Sequence, residues 1–360
     1  MKRILLFVLK KTVFSISIIL GVVTLIFLLY NVIPADPARM SMGQRADSAS
    51  IAAIKKDLGI DRPVIERYFK YLNDLSFISI HNNKEKESFW YYDKKIYKNS
   101  FSLLEIKKYT LVIKIPYLSR SYQNQRNVTD IILKALPATV VLAVASILLA
   151  AIIGIGLGTI AAIKKNTWID KTMLTIGALG MSLPSFFAAI LIAWVFAYLL
   201  GEYTHLPLTG SLFEIDDNGE GSRIVLKNLI LPAITLGIRP LSVVIQLTRN
   251  SLIETMNLDF VRTARAKGLN EKRVILKHAL PNSLNPVITS LSGWFASMLA
   301  GVIFIEYIFS WKGLGYELVN ALNDFDLPVI MGAVIVISVF FVFINILTDI
   351  TYKIFDPKVK

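Results

Sequence analysis

The chain has 360 residues, 54% of them hydrophobic and only 18% charged, with a formal net charge of +13. That charge content lies below the roughly 25% usual for soluble globular domains, and the charges cluster between long uncharged runs, which describes an integral membrane protein. The absence of cysteine excludes a disulfide framework, a thiolate metal site and a cysteine nucleophile; His81, His205 and His278 stand far apart in sequence and do not suggest a metal cluster.

Six stretches are long and apolar enough to cross a bilayer as helices: Thr12–Ile33, Ala135–Ile163, Thr172–Gly201, Asn228–Thr248, Asn282–Ile305 and Leu327–Thr348. Pro184 lies within the third and Arg239 within the fourth. The first reads as an uncleaved anchor, since its apolar run exceeds a usual signal-peptide core and no small-x-small site follows it. The organisation expected is an N-terminal segment and first span over 1–33, an extracytoplasmic segment over 34–134, and a five-helix core over 135–360. Within 34–134, "YTLVIKI" alternates and predicts a strand.

Lys and Arg in the short loops set the orientation. Met1–Lys11 carries Lys2, Arg3, Lys10 and Lys11 with no acid, and Lys164, Lys165 and Lys171 follow the second span. Basic residues again dominate from Arg249 to Lys277, whereas the loops of opposite parity carry Glu202, Glu214, Asp216, Asp217 and Glu220, and Glu306, Glu317, Asp324 and Asp326. The positive-inside rule then puts both termini in the cytoplasm, and it accounts for the positive charge without nucleic acid as a partner.

The stretch "DFVRTARAKGLNEKRVILKHALPNS", Asp259–Ser283, therefore faces the cytoplasm. It predicts a helical hairpin, the core of a loop over 255–281. Asp259 is the expected N-cap of a helix over Phe260–Lys267, Gly268 its left-handed C′ stop, Asn270 the cap of a second helix with Glu271 in its first turn, and Pro281 the interruption before the next span. Phe260, Ala264 and Gly268 recur at i, i+4 spacing, and Ala264 with Ala266 keeps the helix slim enough to seat in a groove of another protein. Arg262, Arg265 and Lys267 either pair with acids there or face water. By spacing alone, a solvated basic loop that serves only topology is an equal alternative.

This stretch resembles the "EAA" loop of the membrane subunits of bacterial ABC importers. Arg262-Thr263-Ala264 stands for E-A-A, Gly268 is the glycine, His278 takes the isoleucine position and Leu280-Pro281 is the L-P. The form "RTARAKGL" resembles the dipeptide/oligopeptide/nickel branch. So do "NVTDIILKALPATVVLAVAS", "LPLTG", "LTRNSLIE", "FSWKGLGYELVNAL" (Lys312 where proline is usual) and the tail "DITYKIFDPKVK". The resemblance covers the first span and nearly everything after Leu118. In place of the branch's short G-D-L-G-x-S stretch stands "YLSRSYQNQRNVTDII", preceded by an insertion over about 81–115 that reads as a small outer subdomain the fold tolerates.

The resemblance implies an all-α integral membrane permease that forms half of a pore for peptides or a related small solute. It implies a second homologous permease subunit, two ATP-binding subunits carrying ATP and magnesium, and an extracytoplasmic substrate-binding protein. The chain itself has no G-x-x-x-x-G-K-[ST] loop, and no enzyme activity or cofactor of its own is expected. Phe260, Arg262, Thr263, Ala264, Arg265, Ala266, Lys267 and Gly268 would dock on the ATPase. Arg239, the single charge inside a span, either lines the translocation path and meets a substrate carboxylate or pairs with a backbone carbonyl or a neighbouring subunit. Gly154, Gly156 and Gly158 fall mid-span and read as helix packing. An ion-gradient-driven secondary transporter or channel is the alternative; such proteins often carry acids within the spans, and these spans have none.

Overall fold

The computed structural model describes residues 2–32, 62–86, 88–94, 96–97, 100–215 and 221–355. Asp216, Asp217 and Glu220 of the second outer loop, and the Asp356-Pro357 pair of the tail motif, lie outside the described residues. The chain divides into two compact units, Met1–Lys134 with Asn320–Val336, and Ala135–Val319 with Ile337–Lys360.

The principal helices among the described residues are α1 (Lys2–Val32), α2 (Val64–Leu75), α3 (Val128–Ile163), α4 (Trp168–Ser182), α5 (Ser185–Ile192), α6 (Ile230–Thr255), α7 (Asp259–Ala266), α8 (Asn285–Ile308), α9 (Leu314–Asn323) and α10 (Leu327–Phe355). Among the described residues, Lys11–Leu29, Val128–Ile163, Leu226–Thr255 and Leu327–Asp349 are each helical, long and apolar enough to cross a bilayer. The expected fifth span corresponds to α8. The ends differ from the apolar runs because helical hydrogen bonding continues past the last apolar residue: α3 starts at Val128, and α6 continues to Thr255.

The third expected span is not one helix. α4 and α5, continued by a π-helical turn over Ala193–Leu199, meet at an angle of 113°. Pro184 supplies the cause. Its ring blocks a helical conformation at the preceding residue, and Leu183 accordingly sits in extended backbone (φ −74°, ψ 132°).

In the first unit, α2 packs on α1. Phe27 lies against Tyr68 and Tyr71, with ring centroids 5.1 and 5.7 Å apart, and Thr24 Oγ1 bonds Tyr68 OH at 2.6 Å. Val23, Ile26 and Ile335 complete this cluster. Within the same unit Asp326, just ahead of α10, accepts bonds from the Ser121 hydroxyl and, at 3.0 Å, from the Tyr122 N–H.

After α2 comes an antiparallel sheet of β1 (Ile78–Asn82), β2 (Phe101–Ile106) and β3 (Tyr109–Ile113), ordered β1-β3-β2. The strand expected in "YTLVIKI" is β3. Ile80 pairs with Leu111 and His81 with Thr110 across β1 and β3. Behind the sheet lies a buried polar cluster. Lys70 Nζ donates to both oxygens of Asp74 at 2.6 Å and to Tyr97 OH at 2.9 Å, while Lys114 Nζ donates to the carbonyls of Asp74 and Ser76. Tyr97 OH in turn donates to Asp74 at 2.8 Å. The Lys70 ammonium thus holds the Asp74 carboxylate and the Lys114 ammonium holds backbone carbonyls, which keeps these buried charges partnered.

In the second unit, "FSWKGLG" folds back onto α3. Trp311 Nε1 donates to the Ala138 carbonyl at 2.9 Å, and the Leu314 N–H to Thr139 Oγ1 at 2.8 Å. The Lys312 N–H, which a proline would lack, donates to Ser211 Oγ at 3.2 Å. Fully buried Glu306 accepts from the N–H groups of Gly315 (2.7 Å) and Tyr316 (3.2 Å) in the first turn of α9.

The polar cluster generates a pH dependence. Burial, and then the positive charge of Lys70, lower the pKa of His81 to about 4 from its ordinary 6.5. The unfolded subdomain therefore takes up a proton before the folded one does. The stability is intact above about pH 6.5 and falls as pH drops from there toward 4. Hydrogen exchange of the β1–β3 amides in the full-length chain, corrected for intrinsic rate, should accelerate over that window. In His81→Phe that acceleration should be absent.

Candidate functional site

The hairpin after α6 is built mainly as its sequence suggests, with two differences. α7 runs Asp259–Ala266, one residue earlier than expected, so the N-cap is Leu258 in extended backbone and not Asp259. Asp259 falls in the first turn, where its charge suits the helix dipole, and lies 3.4 Å from Arg262 Nη1 on the exposed surface. The stop is as expected: Gly268 has φ +79° and its N–H donates to the Arg265 carbonyl at 2.9 Å. Asn270 caps the following turn, its side chain accepting from the Arg273 N–H at 2.9 Å. The second arm is a short α-turn, Glu271–Arg273, a π-helical stretch, Val274–Ala279, and a final turn, Leu280–Ser283. Arg265 Nε meets Glu271 Oε1 at 2.7 Å and ties the two arms.

The second difference concerns which face of α7 looks outward. Val261 and Ala264, three residues apart, point into the chain's own hairpin core with Leu252, Val274, Ile275, Ala279 and Ala162. Ala264 is thus buried by this chain, and the stripe Phe260–Ala264–Gly268 does not face outward as a unit. Val261, the branched aliphatic residue, marks the inward face. Phe260, Arg262, Thr263, Arg265, Ala266, Lys267 and Gly268 are exposed. A small side chain at Ala264 lets α7 lie close against its own base, and the surface left outward carries Phe260, Arg262, Arg265 and Lys267.

The base of the hairpin holds a pair that sequence reading counted only as loop charges. Arg249 near the end of α6 grips Asp170 of α4 through two bonds, Nε–Oδ1 at 2.6 Å and Nη2–Oδ2 at 2.7 Å. Asp170 also accepts the Asn166 N–H at 2.8 Å and is almost fully buried. A planar guanidinium matched to both oxygens fixes orientation as well as distance, so α4 and α6 are locked where the hairpin begins. Spacing gave no signal of it, because the partners are 79 residues apart.

The other candidate, Arg239, lies higher on α6 and is not brought to the hairpin. Sixteen residues separate it from Thr255, roughly 24 Å along the axis. Arg239 lines a recess with Leu183, Ser185, Thr235, Trp294 and Met298, between the α4–α5 break, α6 and α8. Its side chain is exposed, and Nη2 donates to the Leu183 carbonyl at 3.3 Å. Leu183 is the extended residue ahead of Pro184, so the broken span supplies the acceptor. Both readings of Arg239 survive in this geometry: it ties a carbonyl and it faces open space.

Residues 154–360 match the family described as binding-protein-dependent transport system inner membrane component, and residues 4–103 match its N-terminal part. The chain is 30% identical to the dipeptide transport system permease protein DppB of Alkalihalophilus pseudofirmus, over 98% of this chain and 99% of that one. It is 31% identical to the glutathione transport system permease protein GsiC of Escherichia coli K12, over 98% of each. A solved structure of the MetNI methionine ABC transporter matches 62% of this chain and 95% of its own at a TM-score of 0.50; at 13% identity that likeness concerns the fold alone.

The inward position of Ala264 makes a prediction that separates two neighbouring alanines. Ala264→Glu places an unpaired carboxylate in the hairpin core and should cost this chain about 3 kcal/mol of its own stability. Ala266→Glu sits in the open and should leave stability within about 0.5 kcal/mol. Thermal unfolding of the two purified variants in the same detergent reads the difference.

Proposed function

The chain belongs to the family of binding-protein-dependent transport system inner membrane components, and on that premise we propose how its parts divide the work of an ATP-driven importer. It is a multi-pass membrane permease subunit acting with ATPase and substrate-binding components. We infer six spans with both termini in the cytoplasm, the α4–α5 pair counting as one broken span, and a solute of the peptide class. ATP and magnesium belong to two separate ATP-binding subunits. A second, homologous permease completes the pore, and an extracytoplasmic binding protein delivers the solute.

The observation that carries this reading is the construction of α7. Its apolar face is already satisfied by its own chain, while Phe260, Arg262, Thr263, Ala266 and Lys267 are presented outward from a clamped base. This outward face docks on the ATPase. Because the hairpin core includes Leu252 of α6, a push on α7 is a push on α6. α6 also carries Arg239, so movement at the ATPase reaches the recess through one helix. Pro240 lies inside α6 beside Arg239, where the missing N–H lets the helix flex.

In the recess, Arg239 would meet the carboxylate of a passing peptide, a charge-assisted contact stronger than a neutral hydrogen bond. Uptake in proteoliposomes holding the whole transporter tests both ends. Phe260→Asp should lower ATPase co-purification and ATP-driven uptake together, with a normal amount of this chain in the membrane. Arg239→Leu should raise the KM for a peptide with a free C-terminal carboxylate several-fold, with little change for its amide. Equal effects on both peptides would make Arg239 a tie for the broken span and nothing more. Uptake that runs on an ion gradient without ATP would overturn the coupling scheme as a whole.

A further inference from the structure

The sheet of the first unit has one face that stays open among the described residues. Ile78 and Ile80 on β1 stand opposite Ile113 and Leu111 on β3, and Phe101 and Leu104 follow on β2. Phe101 is 74% and Leu104 53% exposed, and every residue of β2 is exposed. An antiparallel sheet facing water carries polar residues on that face, and these six are all apolar. The opposite face is closed over β1 and β3, with Ser79, His81, Thr110 and Val112 buried.

The position of the sheet says what covers the open face. α2 packs on Val23, Ile26 and Phe27 of α1, and all three belong to the apolar run Lys11–Leu29. Val23 is six residues from the end of that run, so α2 meets α1 within roughly 9 Å of the hydrocarbon boundary. There α2 turns Ile65 and Phe69 outward, 71% and 57% exposed. β1 begins at Ile78, three residues after the end of α2 at Leu75. Asn73 of α2 fixes β1 by exchanging two bonds with the Ile80 backbone, at 2.8 and 3.1 Å. The sheet is thus held to a helix that already lies at membrane depth. Around it stand residues suited to headgroups: exposed Lys107 in the β2–β3 turn, Lys84 after β1, and Tyr109, 57% exposed; the neighbouring Lys108 is held by Glu85 at 2.8 Å.

The geometry points to the outer sheet as a lipid-binding element: its apolar face rests in the headgroup and upper acyl region of the bilayer beside α1, with Lys84 and Lys107 on anionic headgroups. This rests on α1 as a membrane span, and not on which side the termini face or which solute is carried.

The chain has no cysteine, so single labelling sites are easily introduced. Ile80→Cys and Leu104→Cys, each carrying an environment-sensitive fluorophore, would be compared with Lys165→Cys on an exposed loop. The full-length chain is placed in nanodiscs of phosphatidylcholine with phosphatidylglycerol. Nitroxides at a shallow acyl position should quench the labels at 80 and 104 several-fold more strongly than at 165, and aqueous iodide should do the reverse. In the unmodified chain, lipids with a diazirine near the headgroup should label the peptide over 101–113. Iodide quenching at 80 and 104 equal to that at 165, or no lipid adduct on 101–113, would overturn the proposal. So would protection that appears only when the substrate-binding protein is added, which would assign the face to that protein.

Discussion

The close approach of α6 to α3 and α4 is the constraint on which the second unit depends. Lipid gives helices no hydrophobic reason to associate, so intimate packing must supply the contact energy, and only small residues let backbones come near enough. Gly154 and Gly158 of α3 serve this purpose. A Cβ on Gly154 would lie 2.6 Å from Val244, and one on Gly158 would lie 2.7 Å from the Ile245 carbonyl and from Thr248. Gly180 of α4 meets Ser242 and Ile238 the same way. Gly156 does not take part, since nothing lies within 4 Å of its Cβ position; it is two residues from each neighbour and so falls on the other side of α3.

With α6 seated this way, its two ends acquire different tasks. One end is clamped by the Arg249–Asp170 pair and continues into the hairpin, whose core includes Leu252. Toward the other end, Arg239 projects into the recess at the break of the α4–α5 span. The hairpin core at one end and the recess at the other are thereby joined by a single helix, without a chain of flexible contacts between them. The π-helical turns at Ala193–Leu199 and Val274–Ala279 lie outside α6, in the broken span and in the second arm of the hairpin, where departures from regular geometry are tolerated.

The first unit follows a different logic. Behind its sheet the buried interior is polar and tied by Lys70, Asp74, Tyr97 and Lys114, while the open sheet face is apolar. That inversion suits a body at the edge of a bilayer better than one surrounded by water. The insertion foreseen over 81–115 contributes β2, β3, Tyr97 and Lys114, while Lys70 and Asp74 come from α2, so the insertion folds together with that helix.

Uncharged length was enough to place helices along the chain, because the bilayer leaves a spanning segment no other way to satisfy its backbone. Residue chemistry alone also determined the stop at Gly268, where a left-handed residue was required, the cap at Asn270, the strand in "YTLVIKI" and the family, through motifs spread along the chain. Pro184 was legible in the sequence only as a residue inside the third span; that the span breaks there, at 113°, is seen only in the structure. Tertiary structure alone decided which face of α7 is free. Phe260, Val261 and Ala264 all lie within one broad arc, and only the presence of Val274, Ile275 and Ala279 beneath it shows that Ala264 is spent on the chain's own core. It likewise decided that Arg249 clamps Asp170 and that Glu306 accepts the first turn of α9. A side chain's charge is written in the sequence, but its partner depends on how distant segments fold together.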